Sequence, residues 1–126
     1  MANVSSTVLL KPLIVSLFTA AALEGATAVF GDGGHDTDDD TPLPIEDGQV
    51  ALNHQLIENA ISSEDIAEDD DGNVMITGRL SQADLVGETI SEFGIKIGSD
   101  LIGIRNSAPK IKQADEEFET KITFIF

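Results

Sequence analysis

The sequence predicts an α+β domain in which one N-terminal helix packs on a mostly antiparallel sheet or small β-sandwich of about five or six strands. An apolar segment with helical spacing lies near the N-terminus, and alternating apolar and polar residues fill much of the second half of the chain. Turn residues separate the alternating segments. A length of 126 residues is typical of one domain, so residues 1–126 are expected to fold together.

The helix is predicted over residues 12–24. Pro12 suits the first position of a helix, where its missing N–H removes no hydrogen bond. Gly25 stands where helices commonly end. The apolar residues that share one face at helical spacing are Leu13, Ile14, Leu17, Phe18 and Ala21. This face is expected to pack on the sheet.

A secretory signal peptide is the alternative for this segment, because small residues at 20–22 follow the apolar run and could form a cleavage site. Lys11, however, interrupts the apolar residues instead of preceding them. A helix over residues 12–24 would be about 20 Å long, which is shorter than the roughly 30 Å hydrocarbon core of a bilayer. The pattern therefore favours a helix that packs in the core, and the cleaved leader remains the alternative.

An acidic loop is predicted over residues 31–47, after a short β-prone segment at residues 26–30. Three glycines within residues 31–34 end that segment. Pro42 and Pro44 favour an extended chain that stays out of a sheet interior. Residues 49–56 are expected to form a short helical turn.

The β-rich part of the chain is predicted over residues 57–126. An irregular strand is expected at residues 57–66, and the dipeptide Asp71-Gly72 then signals a hairpin turn. Period-two alternation follows this turn and predicts a strand with one buried face. The residues expected on that face are Val74, Ile76 and Leu80.

A second hairpin is predicted around Gly98-Ser99, where glycine comes first in a two-residue turn. The strand before it alternates Phe93, Ile95 and Ile97 with Glu92, Gly94 and Lys96. The returning strand is expected at residues 100–106, and Ala108-Pro109 is expected to break the pairing. The last strand, at residues 118–126, would place four apolar residues on one face: Phe118, Ile122, Phe124 and Phe126.

The charge balance excludes several classes of partner. Seven Lys and Arg residues against 23 Asp and Glu residues give a net charge of −16, which repels the phosphates of DNA and RNA and of an anionic membrane surface. The absence of cysteine removes disulfides, thiolate catalysis and cysteine-ligated metal sites. We therefore expect an acidic domain with no nucleic-acid or membrane partner, and not an enzyme.

Carboxylate spacing in the acidic loop raises the question of calcium. Asp36, Asp38 and Asp40 alternate as in a calcium-binding loop, with Asp47 at the twelfth position. Thr41 occupies the sixth position, where the sharp turn of such a loop needs glycine. A solvated loop explains the pattern better than a metal site. The same spacing at Asp69, Asp71 and Asn73 is explained by the hairpin turn.

Other candidate chemistry is also outweighed by structural explanations. The neighbours His35 and Asp36 have no third group to complete a catalytic set, and His54 is expected to be a hydrogen-bonded structural histidine near apolar residues. The glycines of residues 31–34 do not form a phosphate loop, since Asp32 stands where an anion would bind. We predict no catalytic, cofactor-binding or metal-binding residue.

Several short motifs resemble the N-terminal domain of phage tail-collar fibre proteins. In that family a strand ends in a Gly-Asp-Gly turn, a proline-bearing loop follows, and an Ala-Leu-Asn segment comes next, as in residues 29–34, 42–44 and 50–56 here. Residues 89–95, 101–106 and 121–126 are similar to the family's later strands, and the N-terminal helix falls where the family has one. Glu58 stands where the family commonly has a basic residue.

The resemblance implies a structural role. It implies the attachment module of a tail fibre without the receptor-binding shaft, that is, a free-standing tail fibre or baseplate adaptor in a phage tail or phage-like contractile particle. Its partners would be other tail, baseplate or fibre proteins, with a homo-oligomer, a trimer by family analogy, assembled in the host cytoplasm. The unpaired edge of the last strand could receive a strand from a neighbour.

Two further hypotheses come from the residues alone. One is a secreted acidic binding domain whose first ~22 residues are removed as a signal peptide. The other is a carboxylate-dependent hydrolase or calcium-dependent binding module that uses Asp36, Asp38 and Asp40.

Overall fold

The computed structural model describes residues 6–126, and their side chains from residue 10 onward. It contains one helix and seven strands in two antiparallel sheets, which confirms the α+β class and the N-terminal helix packed on a sheet. The elements in chain order are α1 (Ser6–Gly25), β1 (Ala26–Gly31), β2 (Gln55–Ala60), a 3-10 turn (Ser63–Asp65), β3 (Ile66–Glu68), β4 (Val74–Leu80), β5 (Thr89–Ile97), β6 (Asp100–Ile111) and β7 (Phe118–Phe124).

The two sheets have the strand orders β2-β1-β5-β6 and β3-β4-β7. Phe30 of β1 lies opposite Phe93 of β5 in the first sheet, and Ile76 of β4 lies opposite Ile122 of β7 in the second. β6 and β7 are therefore edge strands, one in each sheet. The candidate functional site described below lies between them.

The hydrophobic core fills the space between the sheets. Phe30 is fully buried, with its ring centroid 5.0 Å from that of Phe93 and 6.1 Å from that of Phe118. The residues predicted on the buried face of β4 are buried as expected: Val74, Ile76 and Leu80. Alternation at period two is thus a correct guide to the core-facing side of this strand.

Helix α1 is longer than predicted at its N-terminal end. It begins at Ser6, so Pro12 lies inside the helix and not at its first position. Lys11, in the turn before the proline, donates a hydrogen bond from Nζ to the Asp71 carbonyl 3.0 Å away. This contact ties that turn of the helix to the β3–β4 hairpin and offsets part of the cost of an internal proline.

One face of α1 closes an end of the core. Val15 and Ala22 are buried, and the Phe18 ring lies 5.0 Å from the Phe124 ring and 5.2 Å from the Phe126 ring. The predicted packing face is therefore wrong for Leu13, Ile14 and Leu17, which are exposed, because the side of the helix that carries Val15 and Ala22 faces the core instead. Within the part of the chain that the structure describes, no helix is long and apolar enough to cross a membrane.

The expected helical turn at residues 49–56 is wrong. No helix forms there, and residues from Gln55 onward pair with β1 as an edge strand. The predicted irregular strand at residues 57–66 is in fact two strands of different sheets, joined through the 3-10 turn at Ser63–Asp65. Pairing with β1 decides this conformation, and local periodicity does not reveal it.

The expected break in pairing at Ala108-Pro109 is present, because residues 107–109 have no partner in β5, although β6 resumes pairing at Lys110 and continues to Ile111. The register jumps from Glu92 opposite Asn106 to Ile90 opposite Lys110, so the β6 chain bulges between these pairs. A bulge accommodates proline because its residues need not donate to the ladder. Both predicted turns are present, and Gly72 and Gly98 have the positive φ angles, +77° and +62°, that favour glycine.

Candidate functional site

A buried carboxylate anchors the turn that follows β1. The Glu92 side chain is 1% exposed and accepts hydrogen bonds from three backbone N–H groups: Gly33 at 2.9 Å, Asn53 at 2.8 Å and His54 at 2.7 Å. The Asn53 side chain adds a bond to the Gly33 carbonyl at 2.9 Å. Glu92 therefore joins two loops to β5, and both of its carboxylate oxygens accept hydrogen bonds from the backbone.

Ser91 lies beside this anchor and contacts His35. The His35 Nδ1 atom lies 2.7 Å from Ser91 Oγ, which is hydrogen-bond distance for a nucleophile and a base. The same oxygen, however, accepts the Gly34 N–H at 2.9 Å, and Ser91 is fully buried. A substrate has no access to this hydroxyl, so the pair holds the turn in place.

The turn leaves no room for a larger residue at its last glycine. A Cβ atom on Gly34 would lie 2.1 Å from the Ser91 carbonyl oxygen, far inside van der Waals contact. The glycines that in sequence end the β-prone segment are thus required by close backbone packing. They do not cradle a phosphate.

His54 is exposed and makes the hydrogen bond expected of it, with Asp32 as its partner. The pKa of His54 lies above its ordinary value of 6.5, chiefly because of the hydrogen bond to the Asp32 carboxylate and then because of the attraction between the opposite charges. The contact links the turn after β1 to the start of β2.

We expect Asp32→Asn to lower the pKa of His54 toward 6.5, as measured by NMR titration of the imidazole protons. A histidine whose pKa is raised by folding stabilises the fold below its unfolded-state pKa, and that contribution is lost as pH rises through the folded-state pKa. The stability difference between wild type and variant should therefore shrink as pH rises through that value. An unchanged His54 titration in the variant would contradict the assignment.

Two carboxylates of the acidic loop accept hydrogen bonds from within the loop. Asp36 Oδ1 accepts the Asp38 N–H at 2.8 Å, and Asp39 Oδ1 accepts the Thr41 hydroxyl at 2.7 Å. The Thr41 hydroxyl, followed by the Thr41 N–H, lowers the pKa of Asp39. Over residues 6–126 no three acidic or histidine side chains gather closely enough to hold a metal ion. The calcium-like spacing of this loop therefore does not bring its aspartates together.

A groove of about 340 Å³ opens between the edge strands β6 and β7. Its apolar walls include Ile90, Phe93 and Phe118, while Arg105 and Lys110 line it from β6. These are two of only seven Lys and Arg residues in the chain. A partly apolar cleft with basic side chains is suited to an acidic, apolar ligand or chain segment.

The groove is closed toward one end of the two strands and open toward the other. A Cβ atom on Gly103 would lie 2.9 Å from the Phe124 ring, so the two sheets pack tightly there. Next along β6, the Arg105 guanidinium donates to the Lys121 carbonyl at 3.1 Å. Beyond this bridge, at the bulge of β6, the strands separate and the cleft appears.

The sequence placed Phe93 and Phe118 on the apolar faces of their strands but did not single out the basic residues of this groove. Arg105 and Lys110 are scattered cations in the sequence, and only the bulge of β6 and the placement of β7 bring them to one cleft. The sequence signal that could have drawn attention to these two residues is the scarcity of basic residues in a chain of net charge −16. Compared with known proteins, the chain matches no family model and no curated protein.

Proposed function

We propose that the chain is a structural subunit of a phage tail or phage-like contractile particle, in which it acts as a tail fibre or baseplate attachment protein. The resemblance of its motifs to tail-collar fibre proteins motivates this role. The observation that carries it is the groove of about 340 Å³ beside β7, an edge strand. Its place would be the virion tail, assembled in the host cytoplasm.

Attachment works through strand addition in this proposal. β7 ends the three-stranded sheet, so its outer edge, apart from the Lys121 carbonyl that Arg105 bonds, offers backbone N–H and C=O groups to a strand from a neighbouring tail protein. Apolar side chains of that strand fill the groove against Phe93 and Phe118, which excludes water from the contact. No catalytic residue is needed for such a task.

The basic side chains in the groove determine which residue types the partner segment should carry. A chain of net charge −16 repels most acidic surfaces, but the groove presents Arg105 and Lys110. Lys110 pairs with Glu116 at 2.9 Å, and an incoming carboxylate would compete for it. The partner is therefore an extended segment that alternates apolar and acidic residues. Self-association with threefold symmetry is added by family analogy alone.

The packing of α1 supports this role over that of a secreted domain with a cleaved leader. Removal of the first ~22 residues would take Val15, Phe18 and Ala22 away from the core. The rings of Phe124 and Phe126 would then lose their aromatic neighbour. A leader peptide that is cleaved off gains nothing from such packing.

A charge reversal in the groove tests the proposed attachment. Arg105→Glu should lower the amount of the subunit in purified particles by roughly tenfold or more, because an acidic partner segment is then repelled. Lys121→Glu is the matched control, since Lys121 is an exposed cation on the neighbouring strand that does not line the groove.

Both variants are produced in the source strain, and their thermal unfolding is compared first to establish that each is folded. Incorporation of the control at wild-type level together with loss of Arg105→Glu supports attachment through the groove. Equal incorporation of the two folded variants would contradict it.

A further inference from the structure

Helix α1 has a second apolar face that no side chain of residues 10–126 covers. Leu13 and Leu17 are 55% and 64% exposed, although both are large aliphatic side chains. The exposed or partly exposed residues that form this face are Leu10, Leu13, Ile14, Leu17, Ala20 and Ala21. The opposite side of the helix, at Val15, Phe18 and Ala22, packs against the protein's own core.

The size of this face is that of an interaction surface. Its four large side chains together expose on the order of 400 Å² of apolar area, and patches of that size on soluble monomers are often functional. Half of the ten exposed large hydrophobic residues of the described chain belong to α1. Single exposed leucines are ordinary, but a contiguous stripe on one helix is not.

We propose that this face of α1 pairs with the same face of a second copy of the chain, with the two helices antiparallel. On this face, the N-terminal half carries leucine and isoleucine and the C-terminal half carries alanines. With Leu17 at the twofold axis, Leu13 of one copy faces Ala21 of the other. Ile14 then faces Ala20, so large side chains meet small ones along the whole contact.

Charge also favours a second copy in this orientation. The charged residues of α1 are Lys11 and Glu24, so the helix is neutral in a chain of net charge −16. Most other contacts between two copies would bring acidic surfaces together. Antiparallel pairing places Glu24 of one copy beside Leu10 of the other and keeps the two Glu24 carboxylates at opposite ends of the contact, whereas parallel pairing would place them side by side.

The area predicts a weak dimer. Two faces of this size bury on the order of 800 Å², below the roughly 1,200 Å² of standard stable complexes. We therefore expect association in the micromolar range. The contact uses neither the groove nor β7, and a twofold contact through α1 leaves any threefold contact to another surface. The proposed α1 dimer therefore does not depend on the proposed role in a tail, and each can be tested without the other.

Cysteine cross-linking tests the orientation, because the natural chain has no cysteine. Leu17→Cys should form a disulfide-linked dimer on mild oxidation, since residues at the twofold axis bring their Cα atoms within the ~6 Å that a disulfide spans. An equal mixture of Leu13→Cys and Ala21→Cys should cross-link more than either variant alone. Ser99→Cys, in an exposed turn, is the control for random oxidation.

Sedimentation equilibrium of the cysteine-free chain tests the contact itself. Wild type should dimerise with rising concentration, while the double variant Leu13→Glu with Leu17→Glu should stay monomeric over the same range. Val50→Glu, at an 83% exposed apolar residue outside α1, should dimerise as wild type does. Monomeric wild type, dimerisation that survives the double variant, or Leu13→Cys cross-linking best to itself would each overturn the proposal.

Discussion

Glu92→Ala is expected to lower the free energy of unfolding by about 4 kcal/mol, because it leaves three partly buried backbone N–H groups without their acceptor. The groups belong to Gly33, Asn53 and His54, on two loops that the Glu92 carboxylate joins to β5. For a domain of this size the loss corresponds to a fall in Tm of roughly 15 °C. Urea unfolding followed by circular dichroism measures the change.

Two further variants separate the carboxylate from general effects of substitution. Glu117→Ala removes an exposed carboxylate and should change stability by no more than about 0.5 kcal/mol. Glu92→Gln keeps one acceptor oxygen but turns an amide toward N–H donors, so it should fall between wild type and Glu92→Ala. A Glu92→Ala variant as stable as the Glu117→Ala control would refute the anchoring role.

Phe30→Ala is expected to destabilise the fold by about 4 kcal/mol through loss of buried apolar area and creation of a cavity. The Phe30 ring is fully buried between the sheets and packs against the rings of Phe93 and Phe118. Its removal also weakens the wall of the groove, since both of those rings line it. The unfolding free energy is measured by the same urea titration.

Phe30→Leu provides the comparison, because it keeps most of the apolar volume and should cost clearly less than the alanine variant. Ile125→Ala, at a residue that is 80% exposed, should be nearly neutral. Equal losses for Phe30→Leu and Phe30→Ala would show that the cavity is not the cause of the destabilisation.

Local patterns were sufficient to predict part of this fold. Alternation identified the buried face of β4, and Asp71-Gly72 and Gly98-Ser99 marked hairpin turns that the structure contains. These features depend on neighbours in sequence, so a single chain reveals them. The helix was found too, but neither its start, which lies before Pro12, nor the face that packs on the core was predicted correctly.

Features that depend on distant residues could not be predicted in the same way. The alternating pattern placed Glu92 on the polar side of its strand, where solvent was the natural expectation. Its partners Gly33 and His54 lie 59 and 38 residues away, and only the folded chain brings their loops over it. The pairing of Gln55–Ala60 with β1, and the groove between β6 and β7, have the same long-range origin.

The proposed structural role in a tail is tested most directly by density-gradient sedimentation of the native source lysate, with intact-mass analysis of this protein in each fraction. We expect the full-length chain to sediment with large particles and with tube-like or sheath-like companion proteins. A chain that lacks its first ~22 residues and remains alone near the top of the gradient would contradict that role and support a secreted domain.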